Sequence, residues 1–276
     1  MKVHKRQLIL LEIVMLAIAL MFVFPLIMVF YNSFKSFSEV MVDALALPKS
    51  LSLSNYTYVW KYINYPKLFC NNVIVTVVGI VGIVLFPSLA AYKMSRTKTR
   101  LSGFLYLLCI TPMLIPFQTI MIAVLKIMTG LHLDNNIWGL GVQYWGFFAP
   151  LAVFMYHGFV KTIPQEIDES AIMDGASPTR LFFQIIFPLL KGITSTLIII
   201  DALRIWNDFL LPLIMVNSSK SNKTLTLAIY SFMGEYISDW QYAMTAMVMA
   251  ILPSILFFIV MQKNIVRGVV AGAVKG

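Results

Sequence analysis

The sequence predicts an all-α, polytopic membrane protein with six transmembrane helices. Three observations carry that expectation. Hydrophobic residues make up 59% of the 276 positions and charged residues only 12%. Soluble domains run near about 45–50% and about 25%, and half the usual charge cannot coat a soluble globule of this size. Second, the stretches 13–34, 68–92, 101–125, 135–160 and 240–262 contain no Asp, Glu, Lys or Arg. Each exceeds the roughly 20 residues a helix needs to cross a bilayer core. Third, these runs are continuous rather than alternating at every second residue, which excludes transmembrane strands.

Taken in order, the spans fall at about 8–31, 70–92, 102–125, 138–160, 193–214 and 241–262, within one transmembrane domain, 1–276. The first has too long an apolar stretch for a signal peptide, and no small-residue cleavage site precedes Tyr31, so it reads as a retained helix. The fifth carries Asp201, Arg204 and Asp208. Pro25, Pro87, Pro112, Pro116, Pro150, Pro212 and Pro253 fall within spans or at their ends, where neighbouring helices re-satisfy the freed carbonyls. Trp60, Trp138 and Trp240 sit near outer ends, as an interfacial belt requires. The outer loop 36–69 reads as strand-like and turn-like pieces, with Leu45–Ser54 extended.

Orientation follows from Lys and Arg. Lys2, Lys5, Arg6, the dense Lys93–Arg100 turn, Lys161, Arg180, Lys191, Lys263, Arg267 and Lys275 fall on one side. The other side holds the sparser Lys35, Lys49, Lys61, Lys67, Lys126, Lys220 and Lys223. The bias places both termini in the cytoplasm. The formal charge of +9 is scattered between apolar runs with no aromatic-interleaved basic stripe, so nucleic acid is not a partner. Cys70 and Cys109 form no CxxC or Cys/His cluster, and His4, His132 and His157 are dispersed. Neither a disulfide framework, a metal site nor a catalytic site is expected.

The cytoplasmic loop 161–191 is the most informative stretch. Thr162 can cap a helix with Pro164 in its first turn, and Glu166, Asp168 and Glu169 suit its positive end. Gly175 is a natural stop. Ser177 then Pro178 restart a helix bearing an apolar stripe, Leu181, Phe182, Ile185 and Ile186. The prediction is helix, tight turn, helix on the inner membrane face.

Glu169-Ser-Ala-Ile-Met-Asp-Gly-Ala, followed by Phe183 and Phe187-Pro-Leu-Leu, resembles the EAA loop of binding-protein-dependent ABC import permeases. That pattern is Glu-Ala-Ala, three residues, Gly; the chain departs once, with Ser170 for the first Ala. The resemblance extends along nearly the whole chain. Pro25, Ser33-Phe-Lys-Ser, Asn72, Ala90-Ala-Tyr-Lys-Met-Ser-Arg and Phe159-Val-Lys-Thr-Ile-Pro look like the carbohydrate-uptake permeases related to the maltose system. So do Trp206-Asn-Asp-Phe-Leu-Leu-Pro-Leu and Ala271-Gly-Ala-Val-Lys-Gly. The chain is similar to the shorter, maltose-G-like member of the permease pair.

The resemblance implies a bacterial plasma-membrane subunit that forms the translocation path with a homologous, maltose-F-like permease. It also implies two ABC ATPase subunits and an extracytoplasmic solute-binding protein, with a carbohydrate, most simply an oligosaccharide, as substrate. Glu169, Ala171, Met173, Asp174, Gly175 and Ala176 are the expected ATPase-coupling residues. No Gly-x-x-x-x-Gly-Lys-Ser/Thr occurs, so no cofactor belongs to this chain, and ATP and Mg are expected in the partner ATPase. In the fifth span, Arg204 can reach Asp201 and Asp208 on one helix face, an internal ion-pair network. The other reading places Asp201, Arg204, Trp206, Asn207 and Asp208 on the translocation path. For Tyr144, Trp145 and Tyr156 the two readings are lining of the cavity and lipid-facing packing, and lipid-facing packing is the expectation. Alternatives are the same architecture importing glycerol-phosphate-type solutes and a stand-alone secondary transporter.

Overall fold

Long apolar runs leave backbone groups no partner but each other, and the chain answers with helices. The computed structural model describes residues 5–219, 221–234 and 238–273, with side chains for 8–219, 221–234 and 238–262. Lys2, His4, Lys220, Lys275 and the end of the Ala271–Gly276 motif lie outside the described residues. So do the side chains of Lys5, Arg6, Lys263 and Arg267. Among the described residues there is no strand.

Among the described residues, four helices are long and apolar enough to cross a membrane. They are α1 (Lys5–Asn32), α4 (Tyr65–Arg96), α7 (Ile137–Val160) and α13 (Trp240–Ala273), the last of these apolar over Trp240–Gln262. The short helices α2 (Phe37–Val42) and α3 (Ser54–Tyr62) lie between α1 and α4. Two bent pairs raise the number of candidate spans to six if each is one span. In the first, α5 (Arg100–Ile110) and a 3₁₀ turn meet α6 (Phe117–Gly130) at 109°. Pro112 and Pro116 supply no N–H there, so the helix cannot continue. In the second, α9 (Pro178–Leu189) meets α10 (Lys191–Asn207) at 74°. Between these pairs lies α8 (Gln165–Met173). After α10 come α11 (Leu210–Val216) and α12 (Leu225–Ile229).

The helices group into two compact units, 1–66 with 228–252 and 67–227 with 253–276. In the first unit the outer loop differs from the strand-like expectation: it holds α2 and α3. Ser36 and Glu39 form a reciprocal capping box that starts α2, and the Ser36 donors hold the Glu39 carboxyl below its ordinary range. The alternating Leu-Ser segment finds no partner strand, so nothing fixes it as sheet. Asn55 donates to the Ser33 and Lys35 carbonyls at 2.9 and 2.8 Å, and Thr245 donates to Ser33 at 3.0 Å. Val59, Phe232, Ala243, Ala246 and Met249 form the core beside these bonds.

In the second unit, α4 ties two sets of loops to its opposite ends. Near its start, Asn71 donates to the Ser221 and Lys223 carbonyls, both at 2.9 Å. Asn72 donates to Trp206 O and accepts from Leu225 N. Near its end, Arg96 reaches Ile163 and Asp168. The two tethers are about 37 Å apart along the helix, by its rise per residue. Helices α4 and α7 pack closely at Gly79 and Gly141, where an added Cβ would come within 2.7 Å of Ile205 Cδ1 and of Val78 Cγ1.

Candidate functional site

The loop after α7 folds as helix, turn, helix. Pro164 stands at the N-cap, and the Thr162 hydroxyl donates back to Phe159 O at 2.8 Å. Thr162 is therefore not the cap: Pro164 presets the entry dihedral, and the threonine serves the end of α7 instead. The end of α8 closes by a Schellman motif. Ala176 N donates to Ala171 O and Gly175 N to Ile172 O, both at 3.0 Å, with Gly175 at φ +78°. The Ser177 hydroxyl then accepts from Arg180 N, and α9 begins at Pro178. Its middle, Leu181–Ile186, widens into a π turn. Pro188, which lacks an N–H, follows one residue beyond it, after Phe187. Leu181, Phe182 and Ile186 are buried, as the stripe requires.

Asp168 fixes this unit to α4. Its Oδ2 lies 2.7 Å from Arg96 Nη2 and its Oδ1 accepts the Tyr92 hydroxyl at 2.5 Å. A second Arg96 nitrogen donates to Ile163 O at 3.1 Å. One guanidinium thus holds both the entry and the first turn of α8. These partners escape sequence reasoning because 72 residues separate Arg96 from Asp168. The visible signal was an acidic residue in a first turn, and a helix dipole already accounts for that.

The six expected coupling residues divide by burial. Glu169, Met173, Asp174 and Gly175 are exposed, Met173 at 88%, whereas Ala171 is 7% exposed and joins the core, with Ala176 packed against it. The inner face of the turn forms a cleft of about 490 Å³ bordered by Glu166, Ser170, Asp174 and Arg180.

The five fifth-span residues go to different places. Asp201 is fully buried and its Oδ1 lies 3.6 Å from Arg204 Nη1. Arg204, its side chain 49% exposed, lies 4.9 Å from the Phe148 ring centroid and borders a cavity of about 470 Å³. Trp206 borders a separate apolar cavity with Phe69 and Val73. Asn207 donates to Leu203 O at 2.8 Å. Asp208 leaves the helix at φ −69°, ψ 138°, accepts the Tyr144 hydroxyl at 2.7 Å, and caps Leu210 N. The Arg204–Asp208 half of the network therefore does not form, because the helix ends between them.

Tyr144, Trp145 and Tyr156 turn inward rather than to lipid. Tyr144 is 1% and Tyr156 0% exposed. Each polar tip finds a partner, Asp208 Oδ2, Val78 O and Thr194 Oγ1 respectively. A donor facing hydrocarbon has none, which decides the direction. Among the described residues, no three His, Cys, Asp or Glu lie close enough to hold a metal ion.

Several helices long and apolar enough to cross a membrane, together with the capped helix–turn–helix 165–189, define a multi-pass membrane protein. A family model for the inner membrane component of binding-protein-dependent transport systems matches residues 82–271. The chain belongs to that family. It is 38% identical over 274 residues, 99% of each chain, to a probable starch degradation products transport system permease protein, AmyC, of Thermoanaerobacterium thermosulfurigenes. It is 35% identical, over 91% of each chain, to the multiple sugar-binding transport system permease protein MsmG of Streptococcus mutans. It is also 35% identical, over 83% of each, to the melibiose/raffinose/stachyose import permease protein MelC of Bacillus subtilis. In fold it matches a chain of the crystal structure of a bacterial ABC transporter for import of the acidic polysaccharide alginate. The TM-score is 0.79 at 22% identity, covering 94% of this chain and 96% of that one.

Proposed function

We propose that this chain is one permease subunit of an ATP-driven carbohydrate importer, most simply for an oligosaccharide. It lines the path with a homologous permease and receives solute from an external binding protein. ATP and Mg belong to two partner ATPases. Both termini face the cytoplasm, with the 161–191 loop on the same side. The relatives' names support the substrate class.

The observation that carries the coupling role is the Asp168–Arg96 tether beneath an exposed turn. An ATPase cleft that grips Glu169, Met173 and Asp174 would move α8, and the tether passes that movement to α4 as a rigid body. Ala171 and Ala176 seat the helix against the core while Gly175 makes the turn.

Gly175→Val tests this. Valine at φ +78° costs roughly 1–2 kcal/mol locally and distorts the turn. The variant should insert and assemble, and its complex should hydrolyse ATP without sugar uptake. Normal uptake by Gly175→Val would remove the coupling role from this turn.

A further inference from the structure

The cavity beside Arg204 has features that plain helix packing does not require. It lies where α5 and α6 break at 109°, against the middle of α7 at Gln143–Leu151. Non-helical backbone at membrane depth persists only where it is buried in protein or lines a water-filled cavity. The space is about 470 Å³, within the range of small-molecule sites.

Its lining mixes one charge, one amide and aromatic rings. Arg204 presents a half-exposed guanidinium from an apolar segment, where an ionised side chain facing lipid is strongly disfavoured. The neighbouring carboxylate of Asp201 is fully buried, and neither of its oxygens has a hydrogen-bond partner. Phe148 is already occupied, with Tyr144 stacked on it at 5.6 Å and Arg204 over its ring. Phe147 meets Phe117 edge to face at 5.1 Å, which leaves ring surface toward the cavity. Gln143 adds an amide with both donors and an acceptor.

We propose that this cavity is a sugar subsite on the translocation path, taking a neutral pyranose ring. The apolar face of the sugar lies on Phe147 and Phe117, and its hydroxyls pair with Arg204 and Gln143. Neutral sugars are favoured over acidic ones because Asp201, at 3.6 Å, offsets the charge of Arg204. The site then offers hydrogen-bond donors without net attraction for an anion. The assignment rests on the importer reading given above.

Gly146 provides the test, because it borders the cavity and an added Cβ meets nothing within 4 Å. Gly146→Leu fills the space without removing a contact. The full complex, recovered from native membranes with its partners and reconstituted in vesicles, is assayed with maltotetraose, raffinose and a mannuronate trimer. Uptake of a neutral probe should fall about tenfold or more with assembly intact, and Phe147→Leu should raise its KM. In a Cys70→Ser, Cys109→Ser background, the thiol of Gly146→Cys should react with a polar thiosulfonate. The transported neutral sugar should slow that reaction, and the mannuronate trimer should not. Wild-type uptake with unimpaired Gly146→Leu overturns the subsite alone. So does a Gly146→Cys thiol that no polar reagent reaches, which would mean a partner helix seals the cavity, or one protected only by the acidic trimer. A wild-type complex that carries none of the probes overturns the importer reading together with the subsite.

Discussion

Two Arg–Asp pairs lie in the same unit and behave in opposite ways. Arg96 and Asp168 meet at 2.7 Å, with 14% and 11% of their side chains exposed, and both charges have further partners in Tyr92 and Ile163. Arg204 and Asp201 stand 3.6 Å apart, one side chain half open to a cavity and the other sealed without a hydrogen bond. The first is a closed tether, whose removal leaves a desolvated charge behind. The second keeps donors free for something that comes and goes. Arg96 Nε is itself buried without a partner, so what separates the holding device from the binding device is the carboxylate: both Asp168 oxygens are hydrogen-bonded and neither Asp201 oxygen is.

The sharpest way to break this contrast is Arg96→Ala. It strands the Asp168 carboxylate and releases Ile163 O, so stability should fall by about 3 kcal/mol. Sugar uptake should fall further than binding-protein-stimulated ATPase activity, since α8 would then move without α4. Detergent-unfolding midpoints and the ratio of sugar carried to ATP hydrolysed measure the two effects. Exchanging the charges, Arg96→Asp with Asp168→Arg, should restore part of the ratio, and a swap no better than either single variant would deny that the pair acts as a unit.

Tyr92→Phe removes one hydrogen bond to the same carboxylate while keeping the ring that packs 5.4 Å from Phe182. A bond to a charged group contributes about 1.5–3 kcal/mol. The loss should sit at the low end, because Arg96 remains. A thermal-shift series over wild type, Tyr92→Phe and Arg96→Ala should rank in that order; Tyr92→Phe equal to wild type would mean the hydroxyl does not share in the tether.

What was legible in the residues follows the same division. Ser177-Pro, Gly175 and the acidic first turn of α8 are local devices, each acting within four or five residues, and the loop folds by them. Four of the five charge-free runs mark long helices, whereas 101–125 is broken at Pro112 and Pro116. The breaks at 109° and after Asn207 were less visible, since Pro112, Pro116 and Pro212 look alike in sequence and only the first two accompany a sharp bend. Arg96 with Asp168 and Tyr144 with Asp208 were hidden, because 72 and 64 residues lie between the partners. The Arg204 cavity was half legible: the charge inside an apolar segment announced it, but Phe117, Gln143 and Phe147 come from α6 and α7 and carry no mark of their own.

Asp201→Asn probes the open pair with the smallest structural cost. The amide matches the carboxylate in shape, and the carboxylate it replaces makes no hydrogen bond. The change removes a poorly compensated buried charge, so the unfolding midpoint should move by no more than about 1 kcal/mol in free-energy terms. Function should respond in a different way. Arg204 loses its counter-charge, so the guanidinium is less fixed in direction and the cavity gains a net positive charge. The KM for a neutral oligosaccharide should rise several-fold, while discrimination against an acidic trisaccharide narrows. Measured side by side on one preparation, the two KM values separate this from general damage, which would raise both together. An Asp201→Asn complex that loses stability as steeply as Arg96→Ala, with the neutral-to-acidic ratio unchanged, would make the second pair a tether like the first.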